Sequence, residues 1–202
     1  MTFDQIKSTL STKTVGIAGC GGLGSNCAVA LARVGVGRLI IADFDSVSEG
    51  NLNRQYFFRD QIGLLKTQAL KENIRRIDSS VMVEALAMKL TKGNIPAVFS
   101  SCDVVVEAFD RAGEKEMLIE TMLRFFPGKP LVVGLGMAGW GKSELIHLRK
   151  SDNLYICGDE LSEVSEELPP LAPRVGMVAN MQANVVLEIL LSITNYELRI
   201  KN

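Results

Sequence analysis

TVGIAGCGGLGSNCAVALARVGVGRLIIAD, residues 14–43, sets the architecture of the chain. Thr14–Ala18 is a short β-branched and small apolar run, the composition of a buried strand. Gly19-Cys20-Gly21-Gly22-Leu23-Gly24 follows with the spacing G-x-G-x-x-G. From Gly24 to Val36 apolar residues surround most of a predicted helix, and Arg38–Ala42 forms a second buried strand ending at Asp43. Strand, glycine turn, helix and strand make a βαβ unit that binds a phosphate group at the helix N-terminus. One glycine permits the tight turn, one lets backbone approach phosphate, and one lets helix pack on strand. Asp43 lies where a carboxylate can hold ribose hydroxyls, about 20 residues beyond the turn. The turn alone leaves the ligand open, since nicotinamide, flavin and ATP proteins all use it.

Outward from this unit, strand and helix patterns alternate. Residues 45–63 are polar and glycine-punctuated, the character of a functional loop. Helical spacing returns with Leu65, Ala69, Leu70, Asn73, Ile74 and Ile77. Val81–Leu86, Val104–Val106 and Leu131–Leu135 are predicted strands, and residues 112–126 a predicted helix. Glu144–Arg149 has strand character again. Residues 151–172 are acidic and proline-rich, the pattern of a flexible crossover. Gly176–Ile193 is an apolar helix, followed by a short polar tail. These features predict one α/β domain over 1–202: a Rossmann-like, mainly parallel sheet with helices on both faces and a few antiparallel strands toward the C-terminus.

Composition narrows the function classes. The chain has 202 residues, 47% of them apolar, and a formal net charge of −1. Mean hydropathy is +0.19, outside the range of disordered chains. Charges of both signs are dispersed, and no basic run offers a surface to nucleic acid or an anionic membrane. Neither is therefore expected as a partner. The opening residues lack the apolar block of a signal peptide. Cys20, Cys27, Cys102 and Cys157 form no CxxC pair, so neither a zinc site nor a disulfide framework is expected, and a cytoplasmic location is. Asn180, Gln182, Asn184 and Glu188 interrupt the apolar C-terminal helix, which reads as a buried or interface helix rather than a membrane span.

The segment after the second strand separates candidate nucleotides. A glycine turn largely satisfies the two phosphate charges of a dinucleotide. A triphosphate carries about four and calls for side-chain cations nearby. Asn51-Leu52-Asn53-Arg54-Gln55 and then Lys66 supply the right groups. Arg54 can fork onto phosphate oxygens, Lys66 can act as a point charge, and Asn53 and Gln55 can donate neutral hydrogen bonds. Asp110 follows the strand at 104–106, and a carboxylate there can hold Mg²⁺ while phosphates complete its shell.

GCGGLGS at 19–25, IADFDSVSEGNLNRQ at 41–55, Lys66, EAFD at 107–110 and APRVG at 172–176 together resemble the ThiF/MoeB/HesA family. These are bacterial relatives of ubiquitin-activating enzymes, and the likeness runs from Thr14 to Leu191. Length and APRVG place the chain nearest the short ThiF-like branch associated with thiamine biosynthesis. The resemblance implies a homodimeric ATP- and Mg²⁺-dependent adenylyltransferase. Its substrate would be the C-terminal glycine of a small ubiquitin-like sulfur carrier such as ThiS, ending in Gly-Gly. By position, Gly22 and Asp43 hold the adenosine part, and Gly19, Gly21 and Gly24 complete the nucleotide-binding turn. Asn51, Asn53, Arg54, Gln55 and Lys66 line the triphosphate, and Asp110 contacts magnesium. Arg54, Lys66 and Asp110 are the expected catalytic set.

The chain departs from the family in three places. The paired CxxC motifs of zinc-binding relatives are missing. The stretch just before APRVG, residues 167–171, holds no cysteine, and the earlier Cys157 is expected to be inert. The first 13 residues contain no arginine to complete a neighbouring subunit's site. Gly136–Ser143 fits G-x-x-x-x-G-K-[ST], but a strand pattern follows where a phosphate loop needs a helix. His147 is expected to be structural or exposed. A nicotinamide-dependent oxidoreductase explains the glycine turn and Asp43 but leaves Arg54, Lys66 and Asp110 idle. Adenylation of a small molecule or a tRNA base is the other alternative.

Overall fold

The structure is a computed structural model that describes residues 1–200, with side chains described through Ser192. Its centre is a seven-stranded sheet in the order β3-β2-β1-β4-β5-β7-β6. The strands are β1 Thr14–Ala18, β2 Arg38–Asp43, β3 Met82–Ala87, β4 Val104–Glu107, β5 Leu131–Gly134, β6 His147–Ser151 and β7 Leu154–Gly158. All neighbouring pairs are parallel except β6 with β7. This is the expected Rossmann-like arrangement.

The helices are α1 Phe3–Leu10, α2 Gly22–Arg33, α3 Lys66–Ile77, α4 Ile95–Phe99, α5 Ala112–Phe125 and α6 Ala172–Ile200. Alternation along each strand divides the core between two faces. Val15, Ile17, Leu39, Ile41, Val104, Val106 and Val132 pack against α1, α2, α3 and α6. Ile40, Val105, Leu131 and Val133 pack on the other face against α4 and α5. Central strands covered on both faces must be apolar throughout, which is why TVGIA and RLIIA carry no period-two polar pattern. Gly16 is the exception by size: a Cβ there would sit 2.5 Å from the Phe99 ring.

α6 packs on α2 and on β5 and β7. Its segment Ala172–Ser192 is long and apolar enough to cross a membrane, and half of it is buried within the fold. Cys27, Ala28, Leu31 and Ala32 of α2 are small or flexible enough to let α6 approach with Val175, Val178, Ala179 and Val186. The side chains of the polar tail expected beyond it lie outside the described residues.

Several details differ from the sequence reading, among them the short helix α4, which the pattern between 86 and 104 did not predict. The 151–172 segment, expected to be a crossover, begins inside the sheet, because Leu154–Gly158 pairs with both β5 and β6. The strand expected at Glu144–Arg149 starts later: Ser143–Leu145 is a 3-10 turn and β6 begins at His147. α1 is an additional helix, whose Thr2 side chain accepts from the Gln5 N–H while Gln5 returns a bond to the Thr2 N–H.

Candidate functional site

The carboxyl ends of β3, β2, β1, β4 and β5 open into one cleft of about 520 Å³, within the range of small-molecule sites. At one end it is lined by Phe44, Met88 and Leu90, and at the other by Met137, Val164, Pro170 and Val175. Gly19, Gly21, Gly22, Asp43, Arg54, Gln55, Lys66 and Asp110 all line it, so most of the polar set read from sequence converges. Asn51 and Asn53 do not. The Asn51 carboxamide accepts from the Ser48 N–H at 3.0 Å, and that of Asn53 accepts from Arg54 Nη1 at 2.7 Å. Both shape the loop that carries Arg54.

The turn is built by contacts that exclude side chains. Gly19 has φ +98°, the left-handed region that glycine tolerates, and its N–H donates to Ala42 O at 2.9 Å. Gly24 lies beneath the cleft rather than on it: a Cβ there would stand 1.9 Å from Gly19 O. Neither atom can retreat, since both belong to backbone. Gly24→Ala is therefore expected to cost about 2–3 kcal/mol and to displace the turn. Urea melts would show the loss, and an unchanged midpoint would disprove this role for Gly24.

α2 begins at Gly22, and Gly21 at its N-cap brings no side chain to satisfy the first-turn N–H groups. Those donors and the helix dipole face the cleft, where an anion can complete them. Asp43 is held by two amides: the Cys20 N–H at 2.7 Å and the Asp45 N–H at 2.8 Å. One carboxylate thus ties the turn to β2 while remaining at the cleft wall.

The loop after β2 is fastened to the turn by two α2 residues that the sequence reading passed over. Ser25 Oγ accepts from the Tyr56 N–H at 2.9 Å and donates to Gly21 O at 2.6 Å. Asn26 Nδ2 donates to Gly22 O at 2.7 Å and to Arg54 O at 2.9 Å. These bonds place Arg54 over the glycine turn; a Cβ on Gly22 would lie 3.6 Å from Arg54 Cγ. The Arg54 guanidinium bonds to Gly50 O at 3.1 Å and to Asn53 Oδ1, with no carboxylate partner among the described residues. Its charge is free for a ligand. Gln55 Oε1 is buried without a hydrogen-bond partner, a polar end that a ligand can satisfy.

Lys66 opens α3 and is buried, its ammonium 2.9 Å from Asp45 Oδ2. Asp110 is exposed in the turn between β4 and α5. Below it, buried Glu107 binds the Lys115 ammonium at 2.8 Å and the Phe109 N–H at 2.7 Å, while Lys115 also donates to Gly134 O at 2.9 Å. This tie fixes the turn that presents Asp110. Among the described residues no group of three or more acidic, histidine or cysteine side chains forms a metal cage. A lone Asp110 suits only a metal that takes most of its ligands from phosphate and water, as Mg²⁺ does.

The cleft's far wall depends on a second buried pair. Arg174, in the first turn of α6, donates to Asp159 Oδ2 and to the carbonyls of Gly141 and Lys142. Asp159 Oδ1 accepts from the N–H groups of Leu161 at 2.9 Å and Ser162 at 2.8 Å. A Cβ on Gly136 would lie 1.9 Å from that same oxygen. APRVG thus locks the 136–142 and 159–162 segments, which flank the Met137 and Val164 end of the cleft.

All four thiols are buried, and none lines the cleft. Burial, then the Asp43 carboxylate, pushes Cys20 well above its ordinary value, and burial lifts Cys157 to about 12. Gly136–Ser143 leads into a 3-10 turn and β6 instead of a helix, so the phosphate-loop spelling has no anion-binding helix behind it. His147 is exposed on β6 and bonded to Leu145 O and Glu160.

A model of the ThiF family matches residues 3–202. The chain is 30% identical over 190 residues to the adenylyltransferase and sulfurtransferase MOCS3 of Caenorhabditis briggsae, covering 91% of this chain and 47% of that protein. It is 41% identical over 78 residues to ubiquitin-like modifier-activating enzyme 5 of Arabidopsis thaliana, covering 39% of this chain and 18% of that protein. The chain thus spans about half or less of the length of these curated relatives. Among solved structures, Escherichia coli tRNA N6-threonylcarbamoyladenosine dehydratase TcdA, in complex with ATP, aligns with a TM-score of 0.86 at 21% identity. That alignment covers 96% of this chain and 91% of the other and establishes the shared fold.

Proposed function

The chain belongs to the ThiF family, and from that premise we propose that residues 1–202 form an ATP-binding unit that adenylates the C-terminal glycine of a small partner protein. The partner class is a ubiquitin-like sulfur carrier ending in Gly-Gly, of the ThiS kind used in thiamine biosynthesis, and the working form is a homodimer. One observation carries the reading: Arg54, with no carboxylate partner among the described residues, and Lys66 meet the glycine turn in a single cleft that Asp110 also lines. A dinucleotide leaves such cations without work; a triphosphate uses them. Relatives named for adenylyl transfer and for activation of ubiquitin-like modifiers support the same reaction class, and a solved neighbour of the same fold holding ATP supports the nucleotide alone.

In this reading the partner's carboxylate oxygen attacks the α-phosphorus. The bond from that phosphorus to the bridging oxygen breaks, and pyrophosphate leaves. The chain contributes no covalent nucleophile. Asp43 and the glycine turn fix the nucleoside side, and Arg54 and Lys66 stabilise charge on the phosphates. Asp110 would hold magnesium, which supplies further charge neutralisation on the phosphate chain. The apolar far end, with Met137, Val164, Pro170 and Val175, receives the partner's tail.

ATP–pyrophosphate exchange tests this directly. Exchange is expected to be near background alone and to rise at least about tenfold with a Gly-Gly-ended carrier. Equal exchange with a carrier lacking its terminal glycine, or dependence on tRNA instead, would reject the assigned substrate.

A further inference from the structure

Asp45 lines the cleft, yet neither the glycine turn nor the phosphate contacts described above use it. Its carboxylate accepts from the Lys66 ammonium at 2.9 Å, the one acceptor of that ammonium among the described residues. The partners are buried very unequally: the Lys66 side chain is 8% exposed and that of Asp45 51%. Backbone bonds hold both in place. The Lys66 N–H donates to Asp45 O at 2.9 Å, the Asp45 N–H to Asp43 Oδ1 at 2.8 Å, and Val47 pairs with Gly63 and Leu64 alongside.

A buried ammonium without a counterion is costly, so Lys66 needs an anion whether or not a ligand is present. An exposed carboxylate gives up an ion pair at small cost, because water replaces its partner. We propose that Asp45 is a displaceable counterion. It holds Lys66 in the ligand-free cleft, competes with a nucleotide's phosphate chain for that ammonium, and sets how sharply the cleft ranks nucleotides by phosphate charge. The proposal rests on the ATP-binding reading. A triphosphate displaces Asp45 and pays for the displacement with several oxygens. A monophosphate held at the glycine turn, with fewer charges and shorter reach, leaves the Asp45–Lys66 pair closed.

The test is calorimetric titration of ATP·Mg and of AMP into the unsubstituted chain, Asp45→Asn, Lys66→Met and the double variant. Asp45→Asn is expected to bind ATP about five- to tenfold more tightly and AMP with less than about a twofold change. The gain should vanish when Lys66 is methionine. A residue that merely shapes the loop would weaken both ligands when changed. Thermal melts give a second readout with the same sign logic. Without nucleotide Asp45→Asn should melt below the unsubstituted chain, and with saturating ATP it should gain the larger shift. Unchanged or weaker ATP binding by Asp45→Asn, or an equal gain without Lys66, overturns the proposal. Failure of the unsubstituted chain to bind ATP removes the ATP-binding reading and this proposal together, whereas the wrong sign in Asp45→Asn removes the proposal alone.

Discussion

Arg174→Met should lose about 3–5 kcal/mol of folding free energy, a large part of the roughly 5–15 kcal/mol that stabilises a folded domain. The methionine fills the space but leaves Asp159 buried with its countercharge gone. It also frees the Gly141 and Lys142 carbonyls that the guanidinium holds. Urea unfolding at neutral pH measures the loss, and a change under about 1 kcal/mol would show that the pair is dispensable. Acid supplies an independent check. Burial works against ionised Asp159, but the Ser162 and Leu161 amides, the Ser162 hydroxyl and Arg174 outweigh it and hold the carboxyl at about 2, below its ordinary 3.8. A carboxyl depressed on folding stabilises above its unfolded value, and that contribution fades as pH falls through the folded one. The unsubstituted chain should therefore lose this stabilisation between about pH 4 and pH 2. In Arg174→Met the acid transition should begin at higher pH. Replacing Asp159 by leucine as well should recover part of the loss, since an apolar pair can substitute for a buried ionic one.

Residues 14–43 were legible because their signals are local. A β-branched run, a glycine turn and a second apolar run each constrain the backbone within a few residues. The sheet order makes their carboxyl ends meet, so Asp43, Lys66 and Asp110 could be placed near one cleft from position alone. The polar pairs that finish the site were not legible. Asp45 with Lys66, Glu107 with Lys115 and Asp159 with Arg174 each join different elements. Sequence records the charges, while packing chooses the partners. Asn51 and Asn53 show the converse error: a polar residue beside an arginine expected to meet phosphate can serve the loop's own turns. β7 was hidden by the prolines and acids that follow it, which gave the whole stretch the character of a loop. α1 did carry a sequence signal, Thr2 and Gln5 at capping-box spacing before an apolar position at Leu10. A first turn this close to the chain start contributes so few apolar residues that periodicity alone does not reveal it.

Arg54→Ala should lower the rate of partner-dependent pyrophosphate exchange by about 10²–10³-fold, the usual effect of removing one preorganised charge from a developing anion. Stability should hardly change. The side chain is half-buried, has no ion pair among the described residues, and gives up only the bonds to Gly50 O and Asn53 Oδ1. The backbone position of residue 54 survives, because Asn26 and Ser25 hold the loop through main-chain atoms of Arg54 and Tyr56. Arg54→Lys should recover only part of the rate, since a point charge cannot reproduce the planar fork. The comparison with Asp45→Asn is then decisive about the cleft's electrostatics. Two changes of opposite charge, on residues lining the same cleft, should move ATP affinity in opposite directions, Arg54→Ala with stability unchanged and Asp45→Asn with a lower melting temperature in the absence of nucleotide. Undiminished exchange by Arg54→Ala would turn that guanidinium into a loop brace. The surplus positive charge on which the triphosphate assignment depends would then have no function in the cleft.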